Sequence, residues 1–156
     1  MKRSIVGFRL DEEDHWVAEL DCGHGWHVRH QPPFVERPWV ASEDGRRSRL
    51  GSELDCVRCD RMEWPEGLTE YNRTPEFDET TIPAGLRSEH STKKGVWGRI
   101  RVFSGVLHYH VNAPVGHTFR LDPESSGVVV PELAHRVEPE GPVRFRVEFA
   151  RKQEPA

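Results

Sequence analysis

The sequence predicts a mainly β protein made of two small units, the first of them held together by a metal ion. Three observations lead to this prediction. All three cysteines lie in the N-terminal third of the chain, close to several histidines. The 13 glycines and 12 prolines give frequent turn signals, which favour short strands and loops over long helices. Only 35% of the residues are apolar while 31% are charged, so each hydrophobic core is expected to be small.

The first unit is expected to cover residues 1–62 and to begin with a β-hairpin. Residues 4–10 and 15–20 alternate between apolar and polar side chains, and the polar residues 11–14 separate them. A third strand is predicted over 26–30, where a proline pair ends it because proline cannot donate to the sheet. A unit of about 60 residues commonly needs a bound metal ion or another cross-link, such as a disulfide, to fold stably.

Thiol and imidazole side chains cluster in this unit at spacings that suit a tetrahedral Zn²⁺ site. The predicted thiolate ligands are Cys22, Cys56 and Cys59. The candidates for the fourth ligand are His24, His27 and His30. His24 is favoured, because it shares a turn with Cys22 in a knuckle where two ligands flank one glycine. His27 lies across the predicted hairpin from Cys22 and comes second, and His30 precedes Gln31 and Pro32, which suits a supporting contact.

A Cys-x-x-Cys pair can also be a redox dithiol, but that chemistry needs a thioredoxin-like βαβ context, which the residues around Cys56 and Cys59 do not provide. Four protein ligands would close the coordination sphere of the metal. The site is therefore predicted to be structural, a zinc-ribbon-like module whose folding depends on zinc.

Residues 63–81 carry turn chemistry without clear periodicity and are predicted as a connector between the two units. The second unit, expected over 82–152, shows short strands at regular spacing, which is typical of a β-sandwich or small barrel. These strands are predicted at 85–89, 98–103, 106–111, 117–121, 127–130 and 143–149, with a turn at Ser104 and Gly105.

Several motifs in this second unit resemble those of the small cupins related to tellurite-resistance protein B and YeaR. They are Pro83-Ala84-Gly85-Leu86, His90-x-Thr92-Lys93-x-Gly95-x-Trp97-Gly98, Pro131-x-x-x-His135 and Val147-Glu148-Phe149. The resemblance covers close to half the chain. It implies a double-stranded β-helix, or jelly roll, whose mouth holds a metal.

The resemblance implies a second metal site with His90 and His135 as ligands for an unidentified divalent ion. Thr92 stands where cupins commonly carry a second histidine, so a third ligand is expected from Glu148 or Glu89. The alternative for the two histidines is a hydrogen-bonded polar pair in a barrel core. His108 and His110 alternate with apolar residues and are expected on the solvent side of their strand.

The N-terminal unit is similar to a small uncharacterised bacterial Cys/His domain family. The resemblance rests on Asp21-Cys22-Gly23-His24, His27-Val28-Arg29-His30, Arg37-Pro38-Trp39-Val40 and Leu54-Asp55-Cys56-Val57-Arg58-Cys59-Asp60. It implies no activity. The cupin-like half implies a role in oxyanion or nitrosative stress through analogy of fold alone.

Together these features favour a metal-binding protein over an enzyme, with a small molecule or anion in the barrel. The enzymatic alternative is a metal-dependent cupin, such as a dioxygenase or isomerase, and it would need at least three protein ligands. An adaptor that binds nucleic acid is disfavoured, because the net charge is −4 and the N-terminal half is acidic. No apolar run approaches the ~18 residues that span a bilayer, and no signal-peptide core follows Met1, so a cytoplasmic location is expected. Small cupins commonly pair through sheet edges, so a homodimer is expected as well.

Overall fold

The computed structural model describes residues 1–33 and 36–153, and the chain forms two antiparallel sheets in sequence order. The smaller sheet has the strand order β3-β2-β1-β4. Its strands are β1 (Lys2–Leu10), β2 (Trp16–Leu20), β3 (Gly25–His27) and β4 (Glu53–Asp55). A 3₁₀ turn (Pro38–Ala41) and helix α1 (Glu43–Ser48) precede β4, and helix α2 (Val57–Asp60) follows it. The predicted hairpin of the first unit is confirmed, because β1 and β2 pair from Leu10–Trp16 onward.

The larger sheet has the order β5-β10-β7-β8, with β6 on β10 and β9 on β7. Its strands are β5 (Leu68–Arg73), β6 (Phe77–Asp78), β7 (Trp97–Val111), β8 (His117–Leu121), β9 (Gly127–Val129) and β10 (His135–Lys152). The mainly β prediction is confirmed. Two strands, β5 and β6, lie within the segment predicted as a connector, where they pair with β10. The bounds of the two units remain a prediction.

Two local predictions for the second unit are wrong. Residues 85–89 do not form a strand, since helix α3 (Ala84–Arg87) occupies most of that segment. Ser104 and Gly105 do not end a strand, because β7 continues through them to Val111. Gly105 instead takes a φ of +78° beside a register shift in the β7–β10 pairing, and the pairing continues on both sides of the shift.

The hydrophobic core runs through both sheets as one connected cluster of buried side chains. Alternation along β7 buries Ile100 and Val102 before the register shift at Gly105 and Leu107 and Tyr109 after it, while intervening residues such as Arg101 face solvent. The three cysteines belong to the same buried cluster. Within the described residues, no helix combines the length and apolar character that a membrane crossing requires.

Candidate functional site

The first candidate site lies where the turn between β2 and β3 meets the start of α2. Cys22 and His24 flank Gly23, whose φ of +93° permits the tight reversal that turns both side chains inward. Cys56 caps α2 and Cys59 lies within it, so one helical turn brings their side chains to the same place. We call Cys22, His24, Cys56 and Cys59 the Cys/His cluster.

Ligand atoms from these four buried residues all lie within 4.8 Å of one another. His24 Nδ1 is 3.4, 3.3 and 3.5 Å from the sulfurs of Cys22, Cys56 and Cys59, and the sulfurs of Cys22 and Cys56 are 3.9 Å apart. Zinc bonds of ~2.3 Å to sulfur and ~2.0–2.1 Å to nitrogen place tetrahedral ligands ~3.8 Å apart for two sulfurs and ~3.6 Å apart for sulfur and nitrogen. The donor set therefore fits one tetrahedral metal ion of that size.

The backbone fixes which nitrogen of His24 faces the sulfurs. Its Nε2–H donates to the carbonyl of Glu63 at 2.8 Å, which leaves the Nδ1 lone pair directed at the three cysteines. Metal-bound histidines commonly hold their second nitrogen in this way, because the hydrogen bond sets both the tautomer and the ring orientation.

The electrostatics of the cluster also point to a cation. Burial lowers the pKa of His24, but hydrogen bonds to Cys56 and Cys59 outweigh it and raise that pKa to about 9. Hydrogen bonds with Cys56 and Cys59, together with burial, raise the pKa of the Cys22 thiol, whereas the same network lowers the pKa of Cys56. Without a cation, neighbouring thiolates repel one another, so all three sulfurs ionise together only when a positive ion lies between them.

Arg3 supplies a buried positive charge beside this cluster, which sequence analysis missed. Burial lowers its pKa, but the charge of Cys59 and hydrogen bonding with it raise the pKa above its usual value. Arg3 is only 4% exposed, and its guanidinium donates to the carbonyl of Pro131 at 2.8 Å and pairs with Glu132 at 3.3 Å. Three thiolates around one divalent ion carry a net charge of −1, so Arg3 compensates that charge and also ties the cluster to the second unit.

Trp97, the first residue of β7, forms a second link between the units. Its indole N–H donates to the carbonyl of Cys22 at 2.6 Å, and its ring packs edge-on against His24 with centroids 5.4 Å apart. Trp97 is fully buried. The turn that carries Cys22 and His24 is thereby anchored to β7 of the larger sheet.

The other two candidates for the fourth ligand lie outside the Cys/His cluster. His27 is exposed and its Nε2 lies 3.0 Å from a carboxylate oxygen of Asp11. The Nδ1 atom of His30 accepts a hydrogen bond from the backbone N–H of Arg37 at 2.9 Å. Of the three histidines considered, the structure brings only His24 to the cysteines.

The second candidate site is a pair of histidines, His90 and His135, at the end of a cavity in the larger unit. Their backbones form an antiparallel bridge, with hydrogen bonds of 3.0 and 2.8 Å, and their rings lie 4.2 Å apart. The cavity has a volume of about 360 Å³. Its walls come from apolar residues of β7, β9 and β10 and of the segment around α3, including Leu86, Val96, Ile100, Val129, Val137, Phe145, Val147 and Phe149.

The structure does not bring either predicted glutamate to the two histidines. Glu148 lies on the opposite face of β10 from Val147, where Arg101 and Arg146 donate to its carboxylate at 2.6 and 2.8 Å. Burial raises the pKa of Glu148, but these two hydrogen bonds outweigh it and lower that pKa. Glu89 accepts a hydrogen bond from the side-chain amide of Asn112 and does not line the cavity.

His108 and His110 lie on the outer face of the sheet, as predicted. Their Nε2 atoms pair with the exposed carboxylates of Glu140 at 2.9 Å and Glu138 at 3.1 Å. Neither histidine lines the cavity. They therefore serve as natural controls for His90 and His135 on the same sheet.

Comparison with known protein families separates the chain into two regions. Residues 6–63 match a family described as a protein of unknown function, DUF3565, and residues 72–147 match the TehB-like domain. The search of curated proteins gave no match. Both regions correspond to the resemblances read from the sequence motifs.

Solved structures agree with the second match. TehB from Haemophilus influenzae is 27% identical over 56% of this chain, with a TM-score of 0.52, and the alignment spans 32% of that protein, or about a third of its length. A protein from Escherichia coli strain K12 is 24% identical over 59% of this chain and 98% of its own length, with a TM-score of 0.54, which shows a shared fold. Residues 6–63, called the DUF3565 region below, are thus similar to that family, and residues 72–147, called the TehB-like region, are similar to the TehB-like domain.

Proposed function

We propose that this protein is a non-catalytic metal-binding protein in which a structural zinc ion holds the DUF3565 region and its TehB-like region binds a small ligand. The single observation that carries the first part is the convergence of three thiols and one imidazole within 4.8 Å. Thiolate-rich tetrahedral sites select zinc among the common divalent ions, and four protein ligands leave no open position for a substrate. The zinc is structural and the module is zinc-ribbon-like in its ligand arrangement.

The TehB-like region is proposed to be a small cupin of the jelly-roll type. Support comes from the motifs shared with tellurite-resistance protein B and YeaR, and from the cavity between the strands of the larger unit. His90 and His135 form the polar end of that cavity, where a metal ion, an anion or another small molecule would bind. A role in oxyanion or nitrosative stress follows from the resemblance alone, and a reducing cytoplasm would keep the three cysteines reduced and available to a metal ion.

The alternative, a metal-dependent cupin enzyme, has less support. Such a site needs at least three protein ligands and an open coordination position. Among the described residues that line the cavity, His90 and His135 are joined by no carboxylate and no thiol. Binding therefore fits the geometry better than dioxygenase or isomerase chemistry.

The zinc proposal is tested by the metal content of the purified full-length protein and two matched variants. We expect about one zinc per chain in the wild type and in His27→Gln, since His27 lies outside the cluster. His24→Gln removes one of four ligands and is expected to lower zinc affinity by at least about tenfold. Equal zinc retention by His24→Gln and His27→Gln against a chelator would contradict the proposed ligand set, and a wild type without zinc would remove it.

A further inference from the structure

The two cavity histidines present unprotonated nitrogens to the ligand space. His90 Nδ1 lies 2.9 Å from the carbonyl oxygen of Ser88, and His135 Nδ1 lies 2.9 Å from that of Leu133. A carbonyl oxygen only accepts hydrogen bonds, so both Nδ1 atoms carry the proton and donate. In the neutral ring the Nε2 atom then holds a lone pair, and neither Nε2 has a hydrogen-bond partner among the described residues.

His135 is held in this neutral form by its surroundings. It is 3% exposed, and Tyr109 packs edge-on against its ring with centroids 5.4 Å apart. Burial is the main cause that lowers the pKa of His135 to about 4, with a smaller contribution from His90. At neutral pH its Nε2 is an acceptor without a protein partner, and because this atom is not among the fully buried unpaired ones, a ligand or water in the cavity can supply the donor.

Among the other polar residues that line the cavity, Thr74 and Thr92 are hydrogen-bonded within the protein, and Tyr71, Asn72, Ser91 and Lys93 are exposed. The hydroxyl of Thr92 donates to the carbonyl of Val96 at 2.7 Å, and that of Thr74 both accepts from Val147 N–H and donates to the carbonyl of Pro75. Lys93 is exposed at the rim, where its ammonium stays hydrated. Inside the cavity, the acceptor nitrogens of the two histidines are the main polar feature against apolar walls.

This arrangement discriminates between classes of ligand. An oxyanion beside the two rings would meet two lone pairs, while the donors among the lining residues belong to the exposed side chains of Tyr71, Asn72, Ser91 and Lys93, so at the histidines it would lose its hydration without replacement. A divalent cation would find two neutral nitrogens and no anionic ligand, which leaves most of its coordination to water. A molecule with an apolar body and an O–H or N–H group satisfies the nitrogens and buries its remaining surface against the walls.

We propose that the cavity of the TehB-like region binds an uncharged, largely apolar small molecule through a hydroxyl or N–H group that donates to Nε2 of His135 and His90. This inference rests on the proposed function of the cavity as a ligand site. It goes further by naming the chemical class of the ligand, and it sets that class against the oxyanions that the family resemblance suggests.

A series of three probes of similar shape tests the ligand class. Phenol has a donor on an apolar ring, anisole has the ring without a donor, and benzoate has the ring with an anion. We expect phenol to bind about tenfold more tightly than anisole or benzoate, because it alone forms the missing hydrogen bond. The readout is the nitrogen NMR signal of the two histidines in the zinc-loaded full chain, where a bound donor shifts the Nε2 resonance.

Variants locate the binding. His135→Phe and His90→Phe each remove one acceptor nitrogen, and the second variant is the less disruptive because His135 is buried. Either variant is expected to weaken the binding of phenol without weakening the binding of anisole. His108→Phe removes a histidine from the outer face of the same sheet and is expected to leave all three probes unchanged. Loss of the phenol preference in either cavity variant, with its retention in His108→Phe, supports the assignment.

The possible results distinguish an error in the ligand class from an error in the proposal that the cavity is a ligand site. Tighter binding of benzoate than of phenol, or a shift of the histidine signals by added Zn²⁺ with none by phenol, overturns the proposed class while the cavity remains a binding site. If none of phenol, anisole, benzoate and Zn²⁺ perturbs either ring, both the ligand class and the proposed cavity function are wrong.

Discussion

In the Cys/His cluster four ligand atoms converge around one point, whereas in the cavity two imidazoles lie side by side at the edge of about 360 Å³ of open space. In both places a backbone carbonyl accepts a hydrogen bond from one ring N–H, and the other ring nitrogen is not bonded to the backbone. The difference lies in the neighbours of that other nitrogen. At His24 these are three thiols and a compensating Arg3, and at His135 they are apolar walls.

The comparison teaches that histidine alone does not define a metal site. The number of anionic ligands within reach, and the space left over, decide between closed coordination and an open acceptor. The cluster has three thiols and little remaining volume, so it suits a permanently bound cation. The cavity has no carboxylate or thiol among its described lining residues, so it suits an exchangeable ligand.

The largest expected effect is loss of the metal. Cys56→Ser removes one buried sulfur ligand and leaves three ligands. Because structural zinc contributes ~10–16 kcal/mol in small zinc modules, we expect the free energy of unfolding of the DUF3565 region to fall by ~5 kcal/mol or more. Chemical denaturation followed by tryptophan fluorescence measures this change. A chelator is expected to destabilise the wild type by a similar amount and to have little further effect on the variant. A wild type that keeps its full stability in the chelator would show that no metal ion stabilises this region.

The sequence predicts the parts of this cluster whose residues are close along the chain, and misses the contacts between residues that are far apart along it. The spacing of Cys22 to His24 and of Cys56 to Cys59 is local, so a turn and a helical turn suffice to aim each pair, and the convergence of the thiols was predictable. The shared turn with Cys22 favoured His24 over His27, but the orientation of the His24 ring was not predictable, because it depends on the carbonyl of Glu63. Arg3 gave no signal at all, since its hydrogen-bond partner Pro131 lies 128 residues further along the chain.

The second expected effect is a pH dependence confined to the cavity. His135 has a pKa of about 4 in the folded state against an ordinary value of 6.5, so the unfolded chain binds more protons between these values. The stability from this group is therefore complete above about pH 6.5 and is lost as the pH falls toward 4. The loss amounts to at most ~3 kcal/mol.

The measurement is the free energy of unfolding of the wild type and of His135→Gln between pH 7 and pH 4. Acid also releases zinc in both proteins, so the difference between the two curves isolates His135. We expect the wild type to lose stability more steeply than the variant. Parallel curves would show that His135 is not held neutral, and would remove the contrast between the acceptor cavity and the charged cluster.

The architecture of the cavity was less predictable than the cluster for a physical reason. Alternation along β10 buries Val143, Phe145 and Val147 on one face, and that pattern is a local property of the strand that a sequence shows directly. Glu148 is on the other face, as alternation requires, but which face borders the cavity depends on sheet curvature. That curvature depends on the long-range pairing around Gly105, which short-range turn signals misread as a chain reversal.

The third prediction concerns the joint between the two regions. Trp97→Phe removes the indole N–H that donates to the carbonyl of Cys22 and leaves a small void in a fully buried position. We expect a loss of ~2–3 kcal/mol of unfolding free energy and faster zinc release to a chelator. Trp26→Phe, on the half-buried strand β3, is the matched control and is expected to cost less than ~1 kcal/mol. Equal costs for the two variants would show that Trp97 contributes only apolar burial.

The smallest expected effect tests whether the cluster and the cavity communicate. Arg3, beside the Cys/His cluster, donates to the carbonyl of Pro131 and pairs with the carboxylate of Glu132. Glu132 has a φ of +62°, and its backbone N–H donates to the carbonyl of Thr92 in the cavity wall. Because this conformation is unfavourable for a side-chain-bearing residue, it persists only while its neighbours hold it. Arg3→Met is therefore expected to weaken zinc binding about tenfold and to speed amide hydrogen exchange at residues 131–135 while zinc stays bound.

Arg9→Met, at an exposed position on the same strand, controls for the loss of an arginine. It is expected to change neither zinc affinity nor exchange at 131–135. Faster exchange in Arg3→Met at these residues but not in β8, which lies away from the joint, would trace the coupling through the Arg3 contacts. Unchanged amide exchange at residues 131–135 in zinc-loaded Arg3→Met would mean that the Arg3 contacts do not couple the cluster to the cavity. The strained backbone at Glu132 would then be held by the larger sheet alone.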